Sequence, residues 1–135
     1  MMTKEELTKK FFEKDQFAKS LEIGIRSVNE QSAEIGVFVK KEHLNANGCV
    51  QGGMLYTVAD FAFAVLTNYL HPMTVTQGGH IQYLRPAYTQ TLKAVAKETT
   101  RNGHNCVGEV ILYDDAEEIL CVCNFTGFVK ETKEK

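Results

Sequence analysis

Between Met54 and His71 the chain holds neither glycine nor proline, and Pro72 closes the run. Its residues are apolar nearly all round a helical wheel, so a helix of about five turns here has to be enclosed by other structure. The stretch from Met54 to Leu70 is 17 residues long and is interrupted by Thr57, Asp60, Thr67 and Asn68, too short and too polar for a comfortable membrane span. No membrane partner is expected. A chain of 135 residues, 44% apolar and 24% charged, has room for one compact domain, 1–135, around that helix.

Alternating apolar and polar residues mark the elements that would enclose it. Leu21, Ile23 and Ile25 alternate with Glu22, Gly24 and Arg26, and Ala33, Ile35, Val37 and Val39 alternate with Glu34, Gly36, Phe38 and Lys40. The turn residues Asn29, Glu30, Gln31 and Ser32 between them predict a hairpin. Past the helix, strand-like runs cover 74–84, 91–99, 105–113 and 118–129, punctuated by Arg85-Pro86, the hairpin signal Asn102-Gly103, and Asp114-Asp115. Residues 1–15 read as a helix capped by Thr3 with Glu6 three residues on, and 130–135 as a charged tail that frays. The order predicts an α+β fold: an antiparallel sheet of about six strands wrapped round a long central helix, with an extra N-terminal helix.

A net charge of -2 gives no basic excess to track a phosphate backbone, so nucleic acid is not an expected partner. The polar start MMTKEELTKKFFEK lacks the apolar run of a secretory signal, which makes a cytoplasmic location the expectation. Cys49, Cys106, Cys121 and Cys123 lack C-x-x-C spacing and read as reduced, packed thiols, with Cys121 and Cys123 on one strand face. The four histidines are equally scattered, so no metal site is expected.

Asp60 is the residue that points to chemistry. A carboxylate among Val58, Ala59, Phe61, Ala62 and Phe63 loses water, and it is either a satisfied structural group or a nucleophile or general base in a dry site. Upstream, Gln51-Gly52-Gly53 runs into the helix N-terminus, where free N–H groups and the helix dipole can stabilise an oxyanion and glycine admits substrate closely. Asn45 and Gln51 are possible amide donors to a carbonyl. Gly52 and Asp60 stand eight residues apart on one helix, roughly 12 Å along its axis. A carbonyl cannot span that distance. If both serve one reaction they come from different copies of the chain, which predicts a homodimer with sites at its interface.

Taken together, the run from Asn45 through Gly48-Cys49-Val50-Gln51-Gly52-Gly53 to Ala59-Asp60 and Ala62-Phe63-Ala64, with Tyr83-Leu84-Arg85-Pro86-Ala87 downstream, resembles the hot-dog thioesterase superfamily, in particular its phenylacetic-acid-degradation branch. The resemblance implies a hot-dog fold, dimers or dimers of dimers, and hydrolysis of acyl-CoA without metal or organic cofactor. It places the acidic catalytic residue on Asp60, the loop asparagine on Asn45, the oxyanion N–H on Gly52 and an assisting hydroxyl at Thr76, next to a Gly78-Gly79 stretch that can carry an irregularity. Many members of this branch have histidine where this chain has Gln51, which cannot titrate. For CoA phosphates the candidate contacts are Arg85 and Arg101. Gly53 and Tyr83 are substrate-binding candidates, and Tyr83, Phe61, Phe63 and Tyr69 are either acyl-pocket or core aromatics. His80 and His104 read as surface or packing residues. The alternatives to acyl-CoA hydrolysis are a non-catalytic acyl-CoA-binding module, which would not need a desolvated carboxylate, and a hydratase or dehydratase of the same fold, for which the needed histidine is missing at Gln51.

Overall fold

The computed structural model describes residues 1–130, so the expected charged tail beyond Lys130 lies outside the described residues. A capping box opens the chain: the Thr3 hydroxyl accepts from the Glu6 N–H, and the Glu6 carboxylate accepts from the Thr3 N–H, each at 3.0 Å. Helix α1 (Lys4–Leu7) widens into a π-helical stretch, Thr8–Phe12. A second helix follows, α2 (Gln16–Leu21), capped by Asp15, whose carboxylate accepts from the Ala18 N–H at 3.0 Å. The helix expected within 1–15 is α1 with its π-helical continuation; α2 is an additional helix, and Leu21 belongs to it rather than to the first strand. Glu22, in the left-handed region at φ 60°, ends α2 and turns the chain toward the sheet.

Strands β1 (Gly24–Val28) and β2 (Ala33–Phe38) form the expected hairpin, with Asn29 Oδ1 accepting from the N–H groups of Gln31 and Ser32 across the turn. The long helix α3 (Gly52–Leu70) comes next, then β3 (Thr74–Tyr83), β4 (Thr91–Asn102), β5 (Asn105–Tyr113) and β6 (Ile119–Val129). All neighbours pair antiparallel in the order β1-β2-β4-β5-β6-β3, leaving β1 and β3 as edges. In the β4–β5 turn Asn102 pairs with Asn105, so the central residues are Gly103, at φ 63°, and His104, one position later than the Asn-Gly signal suggests.

Helix α3 packs against the sheet and touches all six strands. Val58, Ala59, Ala62, Phe63, Val65 and Leu66 are fully buried there, and Phe63 stacks on Phe125 of β6 with centroids 5.3 Å apart. Cys121 and Cys123 face inward together as expected, and burial pushes their thiols up to about 11 and about 12. All four cysteines are free. Enclosure of α3 is incomplete, contrary to the all-round expectation: Gly53 is exposed, and Tyr56, Thr57, Asp60 and Ala64 are only half-buried. Their spacing puts them on one stripe of the helix. No helix among the described residues is long and apolar enough to cross a membrane.

One irregularity in β3 positions the site. Thr76 pairs with Gly127 and Gly78 with Thr126, leaving Gln77 as an extra residue. Such a bulge shifts the period-two pleat by one position. Thr76 before it, and Gly79 and Tyr83 after it, therefore all reach α3.

Candidate active site

Asp60 sits in the middle of α3 on the half-covered stripe, and the Thr76 hydroxyl donates to its Oδ1 at 2.9 Å. Burial holds its carboxyl above the ordinary 3.8; the Thr76 hydrogen bond opposes that rise, and the like charge of Asp15 adds to it. Phe12 packs edge-on against Phe61 at 5.2 Å, so the N-terminal segment docks beside this carboxylate. Tyr56, one turn earlier on α3, packs on Phe125, and its phenol pKa is raised by burial and then by the Asp60 charge. A carboxylate that is dehydrated, oriented by one hydroxyl and still half-accessible can take a proton from water or attack a carbon.

At the helix N-terminus the Gln51 side chain is itself the cap. Its Oε1 accepts from the N–H groups of Gly53 at 2.6 Å and Met54 at 3.2 Å, while its backbone N–H donates to the His43 carbonyl at 2.9 Å. This explains how a non-titrating residue serves at that position: it fixes the first turn of α3. Among the described residues no hydrogen bond engages the Gly52 N–H, which lies at the positive end of a 19-residue helix. The Tyr83 hydroxyl donates to the Gly52 carbonyl at 3.0 Å, and its ring lies 3.4 Å from where a Gly52 Cβ would stand. Asn45 closes its own loop, with Oδ1 accepting from the Asn47 N–H at 2.9 Å and the Cys49 N–H at 3.3 Å.

Two clusters thus form within one chain, Asp60 with Thr76 and Gly52 with Gln51, Gly53 and Tyr83. The helix holds them apart. Arg85 pairs with Glu118 at 3.3 Å and Asp114 at 3.9 Å at the β5–β6 turn, so its charge already has carboxylate partners. Arg101 lies at the opposite end of α3, contacting His71 Nδ1 at 3.3 Å and donating to the Gly103 carbonyl at 3.0 Å. Phe61 and Phe63 are core residues, Tyr69 is half-buried against the core, His80 is exposed on β3, and the His104 ring stacks on Phe128 at 5.0 Å. No group of three or more potential metal ligands occurs among the described residues.

Three residues near the site carried little signal in sequence. Tyr56 stands four before Asp60, a helical spacing that marks it as a neighbour. Asp15 is legible only as a helix cap, and His43 is buried with Nδ1 accepting from the Lys40 N–H at 3.0 Å.

No family model matches the chain. A protein of Archaeoglobus fulgidus that carries an esterase name is 27% identical over 118 residues, 87% of this chain and 77% of that protein. The acyl-coenzyme A thioesterase PaaI of Escherichia coli is 36% identical over 87 residues, 64% of this chain and 62% of the relative. The solved structure of the E. coli PaaI protein from the phenylacetic acid degradation operon superposes with a TM-score of 0.88 at 25% identity, over 95% of this chain and 94% of that one. With this agreement of sequence and architecture, the chain has the hot-dog fold and is similar to the PaaI-type thioesterases.

Proposed function

We propose that the protein hydrolyses acyl-CoA thioesters, with Asp60 as general base or nucleophile and the Gly52 N–H as oxyanion donor. The observation that carries this reading is the half-buried Asp60 carboxylate, raised in pKa by burial and oriented by Thr76 on the uncovered stripe of α3. In the general-base form, Asp60 takes a proton from water as the water oxygen attacks the thioester carbon. The resulting oxyanion is stabilised by the Gly52 N–H and the α3 dipole. Collapse breaks the C–S bond, and the proton held by Asp60 passes to the departing CoA thiolate. In the nucleophilic form, Asp60 attacks the carbon itself, the C–S bond breaks to release CoA thiolate, which takes a proton from solvent, and water then cleaves the mixed anhydride to give the free acid and restore the Asp60 carboxylate. Neither form calls on a metal or organic cofactor.

The same proposal requires two copies of the chain. The uncovered stripe of Gly53, Tyr56, Thr57, Asp60 and Ala64 and the exposed edge strand β3 are surfaces on which a second copy can pack. Antiparallel packing of two α3 helices about a two-fold axis brings Gly52 of one copy to Asp60 of the other. Asn45 holds the loop that presents Gln51 and Gly52, and Gly53 leaves room for the thioester. A dimer of dimers, CoA phosphate contacts from Arg85 or Arg101, and a cytoplasmic location are secondary parts of this reading.

Asp60→Asn and Asp60→Ala test it. Thiol release across a panel of acyl-CoA substrates should fall by at least roughly a hundredfold, the scale of a lost general base, with the fold retained. Turnover at the wild-type level by either variant would remove Asp60 from the chemistry.

A further inference from the structure

A cavity of about 420 Å³ opens beside the N-terminus of α3, within the range of about 300–1,000 Å³ usual for small-molecule sites. One wall is the catalytic segment itself, Gln51, Gly53 and Thr57. Phe17 and Leu21 of α2 also line it, with Leu44, Met54 and the buried His43. Phe17 is 62% exposed and Leu44 39% exposed, yet both are large apolar side chains that border this hollow. Among the described residues the acidic Glu42 and the titratable His43 line it, and no lysine or arginine does so.

We infer that α2 is a specificity element: Phe17 and Leu21 form the wall of the subsite that receives the acyl group, and that subsite selects neutral, apolar acyl chains of medium length. The inference rests on the thioesterase reading for the identity of the ligand. Three observations carry it. The cavity borders Gly53 and the Gln51 cap, so a thioester held at the Gly52 N–H has one of its two substituents next to this space, and the apolar side formed by Phe17, Leu21, Leu44 and Met54 suits the acyl one. These four side chains give the cavity a continuous apolar side, so each methylene buried against them adds favourable transfer energy. A terminal carboxylate, as in a dicarboxylic acyl group, would enter a hollow lined by Glu42 and by no lysine or arginine, at an unfavourable desolvation and charge cost.

The N-terminal segment is also firmly seated, which a selecting wall requires. Phe12 packs on Phe61, Asp15 caps α2, and Glu22 at its end pairs with Lys40 at 2.5 Å. Because Phe17 projects into the hollow from an exposed position, its truncation leaves the core untouched.

The test is direct binding, measured by calorimetry with two thioethers that cannot be hydrolysed, S-octyl-CoA and S-ethyl-CoA, on wild type, Phe17→Ala and Leu44→Ala. The ratio of the two affinities should fall roughly tenfold in Phe17→Ala through loss of octyl binding alone, the size of effect usual for a truncated apolar contact, and less steeply in Leu44→Ala. Equal weakening of both ligands, or no change in the ratio for either variant, would overturn the inference. Wild-type turnover supplies a second reading: octanoyl-CoA should be hydrolysed in preference to succinyl-CoA, and equal hydrolysis of the two would contradict the charge argument. Since the thioethers report on binding alone, failure of the thioesterase reading would show as absent thiol release with the affinity ratio still dependent on Phe17.

Discussion

At Asp60 two opposing influences meet on one carboxyl: burial and the Asp15 charge favour the neutral form, and the Thr76 hydroxyl favours the ionised one. Because the net shift is upward, the native state holds this proton more tightly than the unfolded chain does. The ionised group therefore costs stability above its raised pKa, and that cost vanishes below the ordinary 3.8. Asp60→Asn, which keeps an oxygen for Thr76, should melt higher than wild type near pH 7 and lose that advantage as the pH falls toward 3.8; thermal melts across pH check this. Thr76→Val removes the opposing hydrogen bond at nearly constant shape. Its acid limb in kcat/KM should move to higher pH, since protonated Asp60 cannot act as base; an unmoved limb would mean that Asp60 does not govern it. Asp60 was legible in sequence because a carboxylate in an apolar helix is conspicuous. The capping role of Gln51 was not, because whether a loop glutamine caps or donates depends on a side-chain rotamer that composition does not reveal.

Among the elements, the four C-terminal strands lie close to their expected limits because alternation and turn residues agree along them. The N-terminal segment differs for a definite reason. Leu21, Ile23 and Ile25 carry a period of two, while the backbone changes from α2 to β1 through a left-handed Glu22 that alternation does not register. The bulge at Gln77 is the other element-scale feature, and it decides the site: with a regular pleat, Thr76 and Tyr83 would face opposite sides of the sheet. Packing of α3 on the sheet depends on small residues opposite Phe63. A Cβ at Gly108 would stand 2.8 Å from the Phe63 ring and 2.9 Å from the Lys97 carbonyl, and the carbonyl cannot swing away as a side chain can. Gly108→Ala should destabilise the fold by about 1–3 kcal/mol, the usual cost of overpacking. Urea unfolding with an unchanged m-value would register this as a lower midpoint.

For the whole molecule, the arrangement of α3 makes one chain an incomplete enzyme in the proposed mechanism. Gly52 and Asp60 share a rigid helix and lie roughly 12 Å apart along it, so no relaxation within the subunit brings them to one carbonyl. The half-covered stripe of α3 and the open edge of β3 leave both groups where a second copy can reach them. Gly52→Pro removes the N–H at a position made for proline: it is the first residue of the helix, and Gln51 before it is extended at φ -64° and ψ 136°. Gly52→Pro and Asp60→Asn should each be folded and inactive as pure proteins. Dissociated and reassociated at equal concentrations, they should recover roughly a quarter of wild-type activity, because half the dimers are mixed and each of these has one intact site across its two-fold interface. Persistent inactivity of a mixture shown to contain mixed dimers, or full activity from wild-type monomer, would contradict a site shared between subunits.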